Sequence, residues 1–423
     1  MKRAALALAV MAAIVAVYWK AVGAYFYEDD FQWLMSTFTF QPWHIFDVGA
    51  YSHFYRPVIE LYFWAATPLF HGSPSLFHTA SIALHALNAL LLFLFVREAT
   101  GSERHGFLAA VFFVGLPGYI EAIAWVGALA EPIGAVFGCL ALWGFLRFTN
   151  SGAESWRAMS LAGFALALLT HESSVVFFPA LLLAGWAFAP PPATHDWRGH
   201  ARCYAPYGIV LAVYLAIDIP ISSRSYLIGE SHYRPGVHIV ENVLDYVVTL
   251  YVGRRNLPSY IVTAGVVLLL VVRGSRRVRF ATLWMLLALL PFAPFTWANT
   301  SRYLYLPAMG FAMLVAELIE WVDRAAARRM KPAPRHVLVG LLAAAIAVRF
   351  CLFAAEGVER FAARTEVYRQ FITEFRRQHP VLPRGSEVPI DKAVADRLQH
   401  KFLESAVQWE YRDPTIRLVP VTK

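Results

Sequence analysis

The chain has 423 residues, 58% of them hydrophobic and 16% charged, with a mean hydropathy of +0.49. Soluble domains carry about 25% charged residues, so this composition argues against a soluble enzyme and for a polytopic membrane protein. The net charge of +8 would suggest nucleic acid for a soluble chain; here the basic residues sit in short loops between apolar runs, where membrane orientation explains them and no nucleic-acid partner is needed.

A helix needs about 20 apolar residues to cross a bilayer. Apolar runs fall near 4–22, 77–96, 106–122, 131–148, 158–170, 174–189, 203–219, 258–273, 281–297, 304–322 and 337–354, predicting an all-α bundle of about eleven transmembrane helices. The first run, after MKR, is long for a signal peptide and is followed by Trp19 and Lys20, so it reads as an uncleaved helix. Cys139, Cys203 and Cys351 show no metal or redox spacing and read as core thiols. Lys and Arg concentrate in alternate loops, above all in RGSRRVR (273–279) and DRAAARRMK (323–331). That bias predicts a cytoplasmic N-terminus, with 23–76 as a long external loop and an external C-terminus, in a bacterial-type inner or plasma membrane.

Within the first loop, VIELYFWAATPLF (58–70) is too short to span and reads as an interfacial helix; HIVENVLDYVVTLYV (238–252) reads the same way. PPPATHDWRGH (190–200) reads as a plain polar loop, and Arg254 and Arg255 as lipid-headgroup contacts. The division expected is a membrane domain over 1–354 and a small external segment over 355–423. The segment opens on a charged helix, passes through PVLPRGSEVP and ends in the strand-like IRLVPV.

FYEDDFQWL (26–34) places three acids, Glu28, Asp29 and Asp30, just past the first apolar run. A solvated helix cap is the plain reading, since Asp is a common N-cap. The functional reading needs other polar groups on the same side, and the predicted topology supplies them. They are His44, His53, Tyr55, Arg56, His71 and His78, then Glu121 and Glu131, then His171 and Glu172, then Arg302 and Tyr303. Ionisable groups at apolar spans are costly and suggest a site. The mixture suits sugar transfer from a lipid phosphate: a phosphate leaving group needs positive charge and no general acid, and one carboxylate suffices as base. Competing structural readings are helix capping for Glu121 and Glu131, interhelical hydrogen bonding for His78, His85 and Asn88, and interfacial aromatics for Tyr303 and Tyr305. No cofactor is implied with certainty. His and Glu together would suit a divalent metal, but no ligand spacing is diagnostic.

FYEDDFQWL, SHFYRPVIELYFW, LFHTASIALHALNALLLF, GYIEAIAWVGALAE, LLTHESSVVFFP and SRYLYLPAMGFA occur in order from about residue 26 to 313. This set resembles the membrane O-mannosyltransferases that carry tetratricopeptide repeats, members of the GT-C class of polytopic glycosyltransferases. The resemblance implies a GT-C bundle and inverting transfer from a polyprenyl-phosphate-linked sugar to a hydroxyl-bearing acceptor at an external site among membrane lipids. It implies Asp29 as catalytic base, Asp30 as the motif's second acid and Glu28 as the register alternative. Arg56 and Arg302 fall on the family's arginines and become phosphate contacts; His53, Tyr55, Glu121, His171, Glu172 and Tyr303 complete the expected substrate-binding set. His171 stands where the family has Lys, and the sequence carries no tetratricopeptide repeats from which to borrow acceptor recognition. The alternatives are a transporter or flippase of lipid-linked sugars, for which internal repeats and midplane charges would be expected, and a non-catalytic membrane scaffold.

Overall fold

A computed structural model of the protein describes residues 2–51, 53–189, 197–253, 255–297 and 300–422. Arg254 and most of the expected 190–200 loop lie outside the described residues. Helices occupy the apolar runs: Lys2–Tyr18, Pro74–Thr100, Glu103–Gly115, Ala130–Ser151, Glu154–Leu168, Phe177–Phe188, Trp197–Ser222, Leu257–Arg273, Arg276–Leu289, Tyr305–Ala326 and Pro332–Gln378. Their boundaries follow ordinary helix chemistry. Pro74 and Pro332 open helices at positions whose N–H would be unpaired anyway. The Ser102 side chain accepts from His105 N–H at the start of the next helix. Gly101 and Gly152, at φ +68° and +69°, end helices in the left-handed conformation that glycine takes without strain.

Among the described residues five helical stretches, or six if the bent pair below is one span, are long and apolar enough to cross a membrane, fewer than the eleven expected, and their exposed faces carry Leu, Ile and Val, as at Ile209, Val213, Leu341, Val348 and Leu352. The run expected over 106–122 is not one straight helix. It breaks at Leu116–Pro117 and bends by 48°, because proline cannot donate to the helical ladder and pushes its predecessor into extended backbone. That bend turns the chain inward at the end of the bundle where the polar residues collect. At the opposite end, Asp323 accepts from Arg104 at 2.6 Å and pairs with Arg335 at 3.0 Å, tying three helices together. The expected interfacial segments form the helices Pro57–Leu69 and His238–Tyr251.

Two cores are packed. The larger fills the bundle, from Ile14 to Phe361. The smaller joins the first loop to the C-terminal segment, with Phe26, Phe31, Leu34 and Phe63 against Tyr368, Phe402, Leu403 and Val407. The division expected at 354/355 falls inside the continuous 47-residue helix Pro332–Gln378. Its Ala354 and Val358 belong to the bundle core, while Tyr368 and Ile372 belong to the second core. The strand-like IRLVPV forms the strand Arg417–Val421, paired in parallel with Glu387–Asp391.

Candidate active site

The acidic motif is built by a kink. Glu28 sits at φ 44°, ψ −112°, a backbone region that a residue with a side chain avoids at a cost of about 1–3 kcal/mol. The kink starts the helix Asp29–Ser36 and sends the two aspartates in different directions. Asp30 is fully buried. One of its oxygens accepts from Tyr27 N–H at 2.8 Å, and the other from Gly127 N–H at 2.5 Å. It is a staple between the first loop and the turn Val126–Ala128. Gly127 suits that contact: a Cβ there would stand a tight 3.0 Å from an Asp30 oxygen and 3.2 Å from Asp29 Cβ. Trp125 Nε1–H, donating to Tyr27 O at 3.1 Å, braces the same junction.

Asp29, thus positioned, lines a cavity of about 1530 Å³. Burial pushes its carboxyl above the ordinary range; the positive charges of Arg302, Lys401 and Arg56 pull it back. Asp30 is pushed well up by burial, against which its two N–H donors work.

The rest of the cavity wall comes from segments far apart in sequence, mostly at helix starts. Arg56 precedes the helix Pro57–Leu69, and its guanidinium grips Glu172 with two hydrogen bonds, Nε–Oε2 2.8 Å and Nη2–Oε1 2.5 Å. Its guanidinium carbon lies 4.3 Å from the centre of the Phe54 ring. His171, one residue before Glu172, accepts Ser173 N–H on Nδ1 at 3.1 Å, so a neutral ring carries its proton on Nε2. That nitrogen faces Glu131 Oε1 and Glu172 Oε1, each at 3.8 Å, and burial pushes the imidazole down to about 3. Arg302 stands on the short helix Ser301–Leu304, its guanidinium carbon 4.7 Å from the Trp125 ring centre and 5.0 Å from that of Tyr303. Among the described residues it has no carboxylate within ion-pair distance. Tyr303 accepts from Arg302 at 3.3 Å and stacks on Phe292 at 4.1 Å.

Asp29, His53, Arg56, His171, Glu172, Arg302 and Tyr303 therefore share one cavity. Asp30, Tyr55 and Glu121 are not on its wall. The Tyr55 hydroxyl donates to Ile45 O at 3.1 Å inside the first loop. Glu121 accepts from Ser301 N–H at 2.8 Å and so holds the turn that presents Arg302. Arg56 faces the cavity, but its charge is engaged by Glu172.

Further ionisable residues line the cavity, among them Glu131, Asp218 and Lys401. Glu131, weighed above between function and capping, is 4% exposed, and its Oε1 has no hydrogen-bond partner among the described residues. Asp218 comes from the end of the helix Trp197–Ser222. Lys401 comes from the C-terminal helix His400–Tyr411. Nothing local in the sequence marks Lys401; the one available signal is the apolar pattern of 402, 403, 406 and 407, which says that this helix docks. Among the described residues no group of three or more His, Cys, Asp and Glu side chains converges as a metal site.

Comparison with known proteins bears on this arrangement. A family model described as dolichyl-phosphate-mannose-protein mannosyltransferase matches residues 55–222. ArnT from Cupriavidus metallidurans, solved with undecaprenyl phosphate bound, superposes with a TM-score of 0.60 at 14% identity, over 98% of this chain and 86% of that one. Arabinosyltransferase EmbB from Mycobacterium smegmatis superposes at a TM-score of 0.38 and 13% identity, over 84% of this chain and 41% of that one, too loosely to bear on the argument. No curated protein matches in sequence. The ArnT likeness shows the fold, the GT-C helical architecture, and the apolar helices long enough to cross a bilayer make the chain an integral membrane protein.

Proposed function

We propose that this GT-C protein is an inverting glycosyltransferase that moves a sugar from a polyprenyl-phosphate carrier to a hydroxyl acceptor at the external face of the membrane. The observation that carries this reading is the Asp29 carboxylate on the wall of a large cavity, with Arg302, Lys401 and Arg56 as its opposing charges. The family match over 55–222 and the lipid phosphate bound by ArnT support the same donor chemistry. The Lys and Arg bias of the loops supports the external placement.

In this mechanism the acceptor hydroxyl gives its proton to an Asp29 carboxylate oxygen while its oxygen attacks the anomeric carbon. The bond from that carbon to the phosphate oxygen breaks, and its electron pair leaves with the polyprenyl phosphate. Attack opposite the leaving group inverts the anomeric centre. The leaving group is already a stable anion, so it needs a cation and no proton, and Arg302 supplies the charge. Arg302 suits this role because its guanidinium lies between aromatic faces and, among the described residues, forms no ion pair that would occupy it. A positioned general base contributes about 10²–10⁴ in rate. Glu131 offers its unpaired oxygen to a sugar hydroxyl, and the pair Arg56–Glu172 fixes the wall between them. Asp30 serves by holding Asp29 in place. Within this class we propose a hexose of the mannose kind as the sugar, and protein Ser or Thr, a lipid or a glycan as the source of the hydroxyl.

The test uses purified full-length protein in lipid nanodiscs with a panel of polyprenyl-phosphate sugars, and measures release of polyprenyl phosphate. Release by the wild type and its loss in Asp29→Asn are expected. Transbilayer movement of the lipid-linked sugar without release would instead establish a flippase and retire the transferase.

A further inference from the structure

Among the described residues three cations, Arg56, Arg302 and Lys401, line the cavity besides its histidines, and they are not equivalent. Arg56 is gripped by both oxygens of Glu172, so two of its N–H donors are committed there, while its charge still reaches Asp29 and Glu131. Arg302 lies between aromatic rings and has, among the described residues, no carboxylate within ion-pair distance, although the charges of Asp29 and Glu121 reach it. Lys401 likewise has no carboxylate within ion-pair distance among the described residues; its ammonium nitrogen lies 4.5 Å from the centre of the Phe402 ring. The cavity that should take a phosphate thus holds two uncommitted positive charges, and one of them comes from near the end of the sequence.

Lys401 is not there by accident of a loose tail. The helix that carries it is clamped to the helix that carries Asp29. Phe402, Leu403 and Ala406 are buried in one core with Phe31 and Leu34. Trp409 stacks on Phe38 at 5.5 Å and closes over Gly72, where a Cβ would come within 2.8 Å of the indole. Gly72 lies at φ +65°, so the turn that admits the indole suits glycine twice over. Upstream, the Tyr368 hydroxyl donates to Leu398 O at 2.8 Å, fixing the start of the segment to the long helix. The docked helix therefore fixes the backbone of Lys401 at the cavity rim, and its exposed side chain lines the same cavity as Gln32, Trp33 and Ser36 of the Asp29 helix.

We propose that Lys401 is a second phosphate-binding residue of the active site, supplying with Arg302 the charged donors that Arg56 has already committed to Glu172. The C-terminal segment is then part of the donor site. The inference rests on the transferase reading above, since it assigns Lys401 to the phosphate of the same lipid donor. Two cations on one phosphate match the two negative charges that the leaving polyprenyl phosphate acquires.

The experiment measures binding of undecaprenyl phosphate to the full-length protein in neutral-lipid nanodiscs, for wild type, Lys401→Met, Lys401→Arg and Arg302→Met. It also measures KM for donor and acceptor separately. Lys401→Met should weaken phosphate-lipid binding by roughly tenfold, the low end for a charge-assisted hydrogen bond. It should raise donor KM by a similar factor, leave acceptor KM unchanged and flatten the salt dependence of binding; Lys401→Arg should restore most of the affinity. Unchanged thermal stability of Lys401→Met separates charge loss from undocking of the segment. Wild-type binding by Lys401→Met while Arg302→Met loses it would overturn the Lys401 proposal and leave the transferase reading standing. A rise in acceptor KM alone would also overturn it, by assigning the cation to the acceptor. A wild type with no affinity for undecaprenyl phosphate would sink both.

Discussion

Neighbouring aspartates in one motif make a discriminating pair of mutants. Asp30 receives two backbone N–H groups, from Tyr27 at 2.8 Å and Gly127 at 2.5 Å, in a fully buried place. In Asp30→Asn only one side-chain oxygen remains, and one of the two N–H groups faces an amide NH₂ instead. The loss of one bond and the stranding of a buried donor together cost about 2 kcal/mol. Asp29→Asn removes no hydrogen bond of that kind, because the Asp29 carboxylate lies on the cavity wall among cations. The assay is thermal unfolding of the purified protein in detergent, followed by tryptophan fluorescence, with turnover measured on the same preparations. Asp30→Asn should melt several degrees below the wild type and keep part of its turnover where it is still folded. Asp29→Asn should melt with the wild type and turn over at background. If Asp30→Asn melted with the wild type, or Asp29→Asn alone lost stability, the division into a staple and a base would be refuted.

Because burial raises the Asp29 pKa in the free protein and a base must be ionised, kcat/KM should fall as pH drops through that raised value. The acid limb of the rate–pH profile should therefore lie above pH ~4, the ordinary aspartate value, and should vanish from the residual rate of Asp29→Asn. Gly127→Ala should lose roughly 1–3 kcal/mol of stability and most of its turnover, since the new methyl meets Asp30, Asp29 and Trp125 together; differential scanning and the release assay would read both. Glu172→Gln should destabilise by about 2 kcal/mol, below the 3–5 of a fully buried pair because Glu172 keeps 31% of its side chain exposed. Arg56→Met combined with Glu172→Met should melt closer to the wild type than Glu172→Gln does, which a double-mutant melting series would check.

The helical bundle was legible in the sequence because membrane helices announce themselves by length and hydropathy, but the count was not: among the described residues five stretches, or six with the bent pair, are long and apolar enough to span where eleven are expected, and the run over 281–297 is helical only to Leu289. The break at Pro117 was legible in principle from the proline, but the apolar run around it outweighs one breaker. For the site, Asp29, Arg56, Glu172 and Arg302 were found by type and by family resemblance, and they do converge. Which of two adjacent acids faces the cavity was not legible, since that depends on the Glu28 backbone and on Gly127, nearly a hundred positions away. The commitment of Arg56 to Glu172 was also hidden: an arginine quoted in a motif carries no sign of what its guanidinium already holds. Lys401 was hidden most completely, because docking between positions ~370 residues apart leaves no local periodicity that names the contact.

The helix Pro332–Gln378 is one unbroken rod of 47 residues. At 1.5 Å per residue it is about 70 Å long, more than twice the ~30 Å of hydrocarbon it passes through. It stands like a mast, stepped at its foot by Arg335 on Asp323 and flying the C-terminal segment at its head. Any tilt at the foot swings the head through a wider arc, so helix packing at one side of the bilayer sets the height and bearing of Lys401 at the other. A hinge cut midway, as by Gly357→Pro, would leave both ends intact and lose the registration between them.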